Sequence, residues 1–121
     1  MAQVLIVDDS PTEIHVLTTI LQKQGHEVTV ANNGEEGVEK AKELLPDLIL
    51  MDVVMPGMNG FQATRELSRN EETSGIPVII VTTKDQETDR VWGLRQGAKD
   101  YLTKPVSESD LVSKIKAVLE G

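Results

Sequence analysis

The stretch Leu48-Ile49-Leu50-Met51-Asp52 is an apolar run that ends on a carboxylate, and Val53-Val54-Met55-Pro56-Gly57-Met58-Asn59-Gly60 follows it directly. Four large apolar residues in a row, between Pro46 and a loop rich in proline and glycine, predict a strand that is buried on both faces of a parallel sheet. An aspartate at the carboxyl end of such a strand points into the crevice where open α/β sheets bind ligands. This stretch therefore predicts both the fold class and the position of the functional site.

Strand patterns and helix patterns alternate along the rest of the chain. The runs 4–7 and 77–82 are also apolar, whereas 28–30 and 100–103 are alternating or short, as edge strands are. Five strand–helix pairs with short connections predict an α/β fold, namely a doubly wound, five-stranded parallel sheet with five helices on its two faces. Because the three apolar strands belong inside the sheet, the strand order 2-1-3-4-5 fits the pattern.

The predicted helices have start signals and apolar stripes. Ser10-Pro11-Thr12-Glu13 is typical of a helix start, with an N-cap serine, proline at the first helical position and a capping box. The apolar positions that we expect to face the core, helix by helix, are Ile14, Leu17 and Leu21; Val38, Ala41 and Leu45; Phe61, Thr64 and Leu67; Val91, Leu94 and Ala98; and Leu111, Ile115 and Val118.

Length and charge narrow the function classes. The 121 residues suit one domain, 1–121, with no room for a separate output domain. The formal net charge of -8 disfavours nucleic acid or an anionic membrane as a direct partner. The absence of cysteine excludes disulfides and thiolate metal sites, and no stretch is long and apolar enough for a signal peptide or a membrane helix. We expect a soluble cytoplasmic protein.

Charged and polar side chains follow the predicted strands at one edge of the sheet. Asp8 and Asp9 follow the first strand and Asp52 ends the third, so the 2-1-3-4-5 order brings three carboxylates together. Carboxylates about 4 Å apart repel by roughly 4 kcal/mol at an effective dielectric constant near 20, so the cluster needs a cation or a shared proton. Oxygen-only ligands favour a hard divalent ion, Mg²⁺ first.

The same edge carries groups suited to phosphoryl transfer. A carboxylate beside Mg²⁺ can attack a phosphoryl group and form an aspartyl phosphate. This attack needs positive charge and a hydrogen-bond donor at the phosphoryl oxygens. Lys104 after the fifth strand and Thr82 at the end of the fourth strand are the candidates, and their placement on one edge is the informative feature.

The set Asp8-Asp9, Asp52 with Met55-Pro56-Gly57-Met58-Asn59-Gly60, Thr82 and Lys104-Pro105 resembles the receiver domain of two-component response regulators (CheY-like) over essentially the whole chain. Residues 78–106 are similar to those of the stand-alone regulators of type IV pilus twitching motility. The resemblance implies a phosphorelay switch that promotes its own phosphorylation and dephosphorylation rather than a turnover enzyme.

The resemblance also assigns roles by position. It implies that Asp52 accepts the phosphoryl group, that Asp8, Asp9 and Asp52 bind Mg²⁺ together with the backbone carbonyl of Val54, and that Lys104 pairs with the phosphate. Thr82 would hydrogen-bond the phosphate, and Tyr101 would change rotamer with it, from exposed to buried. A cis Lys104–Pro105 bond is implied as well.

The implied partners are proteins. We expect a CheA-like sensor histidine kinase as phosphoryl donor and a downstream protein that binds the face of the fourth helix, fifth strand and fifth helix, with Trp92 as a core or partner-facing residue. We expect no nucleic acid, no membrane insertion and a monomer. Three positions depart from the family pattern. Val54 and Lys84 lie two residues beyond Asp52 and Thr82 and leave the dephosphorylation rate unpredictable, and Thr83 is larger than usual and could crowd the phosphate.

Three other functions stay open at this point. A phosphate sink for the kinase would use the same site without an output surface. A Mg²⁺-dependent phosphohydrolase of the haloacid dehalogenase type has D-x-D on its first strand, where this chain has adjacent aspartates. A flavodoxin-like electron carrier needs a phosphate loop after the first strand, and residues 10–13 are not such a loop.

Overall fold

The computed structural model describes residues 2–121. Strands and helices alternate in the order β1 (Gln3–Val7), α1 (Pro11–Lys23), β2 (Glu27–Ala31), α2 (Gly34–Leu44), β3 (Leu48–Met51), α3 (Gly60–Arg69), β4 (Val78–Thr82), α4 (Glu87–Arg95), β5 (Asp100–Thr103) and α5 (Glu108–Glu120). All strand pairs are parallel, and the sheet order is β2-β1-β3-β4-β5. The predicted fold class and strand order are confirmed. Within 2–121, each helix is too short or too polar to cross a membrane.

Alternate side chains of the inner strands pack into separate apolar clusters on the two sheet faces. One cluster joins Val4, Ile6 and Leu50 to the buried faces of α1 and α5. The opposite cluster joins Leu5 and Ile49 to α2 and α3. A third, smaller cluster lies near β4 and β5 and contains Val53, Phe61, Ile80, Ala98 and Tyr101.

The helix starts follow the predicted cap signals, with one difference at α1. The Ser10 side chain accepts the Glu13 N–H at 3.4 Å, as an N-cap does. The reciprocal half of the predicted capping box is replaced, because the Ser10 N–H donates to Asp8 Oδ1 at 2.9 Å. The carboxylate at the end of β1 is thereby tied to the first turn of α1.

The apolar stripe predicted for two helices is wrong at three residues. Leu45 does not face the core: it ends α2 in the left-handed region, with φ 47°, and is 55% exposed. Val91 and Leu94 of α4 are exposed too. The exposure of Val91 and Leu94 has a physical reason in Gly93, the one buried residue of α4. A Cβ on Gly93 would be 2.8 Å from the Ile80 side chain, so the helix backbone itself lies against the sheet. The helix approaches the sheet through its glycine, which leaves its apolar residues to either side.

Candidate functional site

The carboxyl ends of β1 and β3 lie side by side, with Val7 paired to Met51. The residues that follow, Asp8, Asp9 and Asp52, each offer a carboxylate oxygen within 4.8 Å of the others. Asp8 and Asp52 are buried and Asp9 is exposed. The predicted convergence of three carboxylates at this edge is confirmed.

Lys104 reaches the same cluster from the end of β5. Its Nζ lies 2.8 Å from Asp8 Oδ2 and 3.5 Å from Asp52 Oδ2, and its side chain is only 6% exposed. The backbone holds it there, since the Lys104 N–H donates to the Thr82 carbonyl at 2.7 Å. The Lys104–Pro105 bond is cis, as the family resemblance implied. One ammonium group therefore faces three carboxylates, and the site keeps an excess of negative charge.

Burial and neighbouring charges shift the pKa values of Asp52 and Lys104. Burial is the main cause that raises the pKa of Asp52, and the Asp8 charge raises it further, against the lowering effects of Lys104, the Thr82 hydroxyl and the Val53 N–H. Burial alone would lower the pKa of Lys104, but its hydrogen bond with Asp8 and the charge of Asp52 raise it above its usual value. Lys104 therefore stays a cation at neutral pH.

The carboxylate cluster has the chemistry that a magnesium site requires. Its donors are carboxylate oxygens, which hard divalent cations prefer, and they are close enough to share one ion. The loop after Asp52 can add a backbone ligand: the Gly60 N–H closes the loop onto the Val53 carbonyl at 3.0 Å rather than onto that of Val54. The residues present thus fit the ion that the sequence predicted.

The β3–α3 loop depends on Gly60 at the start of α3. A Cβ on Gly60 would overlap the Asp52 carbonyl oxygen and lie 2.8 Å from the Val53 Cα. Asp52 Oδ1 in turn accepts the Val53 N–H at 2.8 Å. The close approach that only glycine permits therefore positions the backbone on which Asp52 stands.

Thr82 and Tyr101 form a connected path away from the carboxylates. Thr82 is fully buried, and its Oγ1 accepts the Lys84 N–H at 3.4 Å. The Tyr101 hydroxyl donates to the Lys84 carbonyl at 2.8 Å. Lys84 thus bridges the two residues that the resemblance named as a switch.

Of the exposed and buried rotamers that the family resemblance implies for Tyr101, the structure has the buried one. The side chain is 5% exposed, and burial is the main cause that raises its pKa to about 12, with Asp89 the next cause. A Cβ on Gly93 would be 3.0 Å from the Tyr101 ring. Sequence reasoning missed Gly93, although a glycine inside a helix was the available signal.

The outer rim of the site carries both apolar and charged side chains on the α4 side. Trp92 is 48% exposed, which decides between the two placements considered for it in favour of surface. With Val54, Met55, Phe61 and the Lys84–Asp89 pair, whose atoms are 3.8 Å apart, Trp92 lines a depression of about 480 Å³ beside the loop after Asp52. A depression lined by apolar side chains and an ion pair thus adjoins the carboxylate site.

Comparisons with known proteins identify the family of the chain. Residues 4–116 match the family model described as "Response regulator receiver domain". The chain is 65% identical to Protein PilH of Pseudomonas aeruginosa over 121 residues, which is 100% of both chains.

Solved structures have the same fold. A response regulator from Chloroflexus aurantiacus has a TM-score of 0.95 at 32% identity, covering 99% of this chain and 98% of the other. The receiver domain of the Pseudomonas aeruginosa sensor histidine kinase PA1611 has a TM-score of 0.92 at 31% identity, with 99% and 98% coverage, and that structure has a magnesium ion in its active-site cleft.

Proposed function

The chain belongs to the response regulator receiver domain family, and we propose that it accepts a phosphoryl group from a histidine kinase on Asp52 in the presence of Mg²⁺. The observation that carries the proposal is the arrangement of Asp52 with Lys104 Nζ at 3.5 Å and with two further carboxylates within 4.8 Å. Residues 1–121 act in this proposal as one receiver unit.

Each group has a role in the transfer. An oxygen of Asp52 forms a bond to phosphorus while the bond from phosphorus to the kinase's histidine nitrogen breaks. Lys104 attracts the phosphoryl oxygens and Thr82 donates its hydroxyl to one of them.

The acidic side of the site would hold the metal ion. Asp8, Asp9 and Asp52 would bind it together with the Val54 carbonyl, as the oxygen-only donor set supports. When bound, the ion supplies positive charge that offsets the charge on the phosphoryl oxygens.

The signal would leave through α4, β5 and α5. Thr82 and Tyr101 contact the same residue, Lys84, so a phosphate that draws the Thr82 hydroxyl toward it changes the support of the Tyr101 ring. The exposed apolar residues of α4, Val91, Trp92 and Leu94, offer a surface to a downstream protein. A coupling of about 1–3 kcal/mol would give roughly 5- to 150-fold tighter partner binding.

The cellular role follows the PilH similarity. We propose that the protein acts in the cytoplasm as a monomer, receives phosphate from a CheA-like kinase, and controls type IV pilus twitching motility. Phosphotransfer profiling against the histidine kinases of the same cell tests the donor, and light scattering tests the monomer. A protein that drains phosphate from its kinase without binding a target would be a phosphate sink instead.

Labelling of Asp52 tests the central claim. Acetyl phosphate and Mg²⁺ should add one phosphoryl group to the wild-type chain, measured by intact-protein mass spectrometry. Asp52→Asn should abolish it, whereas Asp110→Asn, at an exposed position on α5, should not. Label that persists in Asp52→Asn, or that is undiminished with excess chelator, contradicts the proposal.

A further inference from the structure

The loop between β3 and α3 is held at its beginning by apolar contacts. Val53 packs into the third cluster and Met55 into the cluster on the α2 and α3 side. Pro56 and Gly57, farther along, are exposed. The far end of the loop is held by the partly buried side chain of Met58, which packs against the same cluster as Met55, and by contacts to the Gly57–Met58 backbone.

Glu35, in the first turn of α2, contacts that far end. Its Oε1 accepts the Met58 N–H at 3.4 Å. Among the residues that the structure describes, this is the one hydrogen bond that the segment 53–58 donates to a side chain of a helix or strand. The carboxylate lies over the Gly57–Met58 peptide.

The neighbouring glycines allow this close approach. Gly57 has φ +75°, and a Cβ there would be 3.0 Å from Glu35 Oε2. A Cβ on Gly34 would be 2.5 Å from the Met58 carbonyl oxygen. The start of α2 and the end of the loop are therefore packed backbone to backbone, and Glu35 supplies the polar contact between them.

We propose that Glu35 is a positioning residue for phosphoryl acceptance: by holding the Gly57–Met58 peptide, it fixes the loop that orients Asp52 and the Val54 carbonyl. This inference rests on the proposed function of Asp52. Glu35 lies outside the carboxylate cluster and acts through the loop backbone, so its hydrogen-bonding capacity matters and its charge does not.

The matched variants are Glu35→Ala, Glu35→Gln and Glu39→Ala. Glu39 is one turn farther along α2 and is exposed. It lines a surface groove together with Glu35 and Met58 but has no hydrogen bond to the loop. The measurements are the initial rate of Asp52 labelling by acetyl phosphate with Mg²⁺, and the amide hydrogen exchange of Met58 without donor or metal.

Because Glu35→Ala removes one hydrogen bond, we expect it to slow the labelling of Asp52 about 3- to 10-fold and to speed the amide hydrogen exchange of Met58 by a similar factor. Glu35→Gln keeps an acceptor oxygen and should restore both to within about 2-fold of wild type. Glu39→Ala should match wild type in both.

Equal slowing in Glu35→Ala and Glu35→Gln would overturn the inference, because it would make the charge the cause. Equal behaviour of Glu35→Ala and Glu39→Ala would overturn it too. A wild-type chain that takes no label contradicts the proposed function instead, and Met58 exchange then still decides whether Glu35 holds the loop.

Discussion

Asp9→Asn should raise the melting temperature of the protein in chelator, because it removes one of three crowded carboxylates while keeping the side-chain shape. Asp9 is the exposed member of the cluster, and its carboxylate lies within 4.8 Å of those of Asp8 and Asp52. The Lys104 ammonium group forms ion pairs with the carboxylates of Asp8 and Asp52 and does not form one with Asp9. The Asp9 charge is thus the least compensated of the three.

The size of the effect follows from that distance. Two like charges 4.8 Å apart repel by about 3.5 kcal/mol at an effective dielectric constant of about 20, and by about 0.9 kcal/mol at about 80. Because Asp9 is exposed, the lower value applies, and the nearby ammonium of Lys104 offsets part of the repulsion from two neighbours. A gain of about 1 kcal/mol corresponds to a rise of about 3 to 5 °C for a domain of this size.

Thermal unfolding followed by circular dichroism in EDTA measures this change, with Glu71→Gln as control. Glu71 is exposed on the α3–β4 loop, at the opposite edge of the sheet, so removing its charge should change the melting temperature by much less. The difference between the two variants should shrink in about 1 M NaCl, where the screening length is about 3 Å. A lower melting temperature for Asp9→Asn, or an equal rise in both variants, would refute the account of charge crowding.

Three further predictions concern the path from Thr82 to α4. Tyr101 is the one tyrosine of the chain, so absorbance at 295 nm should show its ionisation near pH 12 in the folded state, and a midpoint near pH 10 would contradict the burial of its side chain. Because its pKa is raised in the folded state, its contribution to stability should be full below about pH 10 and fall as the pH approaches 12. Gly93→Ala should destabilise the fold by about 1 kcal/mol, since overpacking against Ile80 and Tyr101 outweighs the helix propensity that alanine adds; a gain of about 1 kcal/mol, the propensity alone, would show that α4 moves freely. Thr82→Ala should leave Asp52 able to accept a phosphoryl group, more slowly because one hydrogen bond to the phosphoryl oxygens is lost, and should weaken the coupling to partner binding; NMR shifts that reach Tyr101 equally in wild type and variant would exclude Thr82 as the link.

The strand order of the sheet could be predicted from the sequence because the composition of the strands distinguishes inner strands from edge strands. The runs around Ile6, Leu50 and Ile79 are apolar on both faces, and that is possible only for inner strands of a parallel sheet covered by helices. Once their order is known, the positions of Asp8 and Asp52 follow from the strand ends, so the carboxylate cluster was predictable as well.

Helix α4 was not predictable in the same way. Periodicity assigned Val91 and Leu94 to the core because apolar spacing shows which residues share a helix face, not which face meets the sheet. Here backbone contact at Gly93 overrides side-chain burial. The contact of Glu35 with the β3–α3 loop was hidden for a related reason, because residues 23 positions apart show no pattern that joins them.

The third apolar cluster also has a thermodynamic meaning. It contains five residues, among them Val53, next to the carboxylate site, and Tyr101, under α4, whereas the two larger clusters hold the remaining helices. Because Gly93 is the one buried residue of α4, we expect this helix to open at a lower free energy than the other four, and its hydrogen exchange should be faster than theirs. Rearrangement at α4 can then occur as a local opening while both large clusters stay closed, which lets the domain change its surface many times without approaching global unfolding.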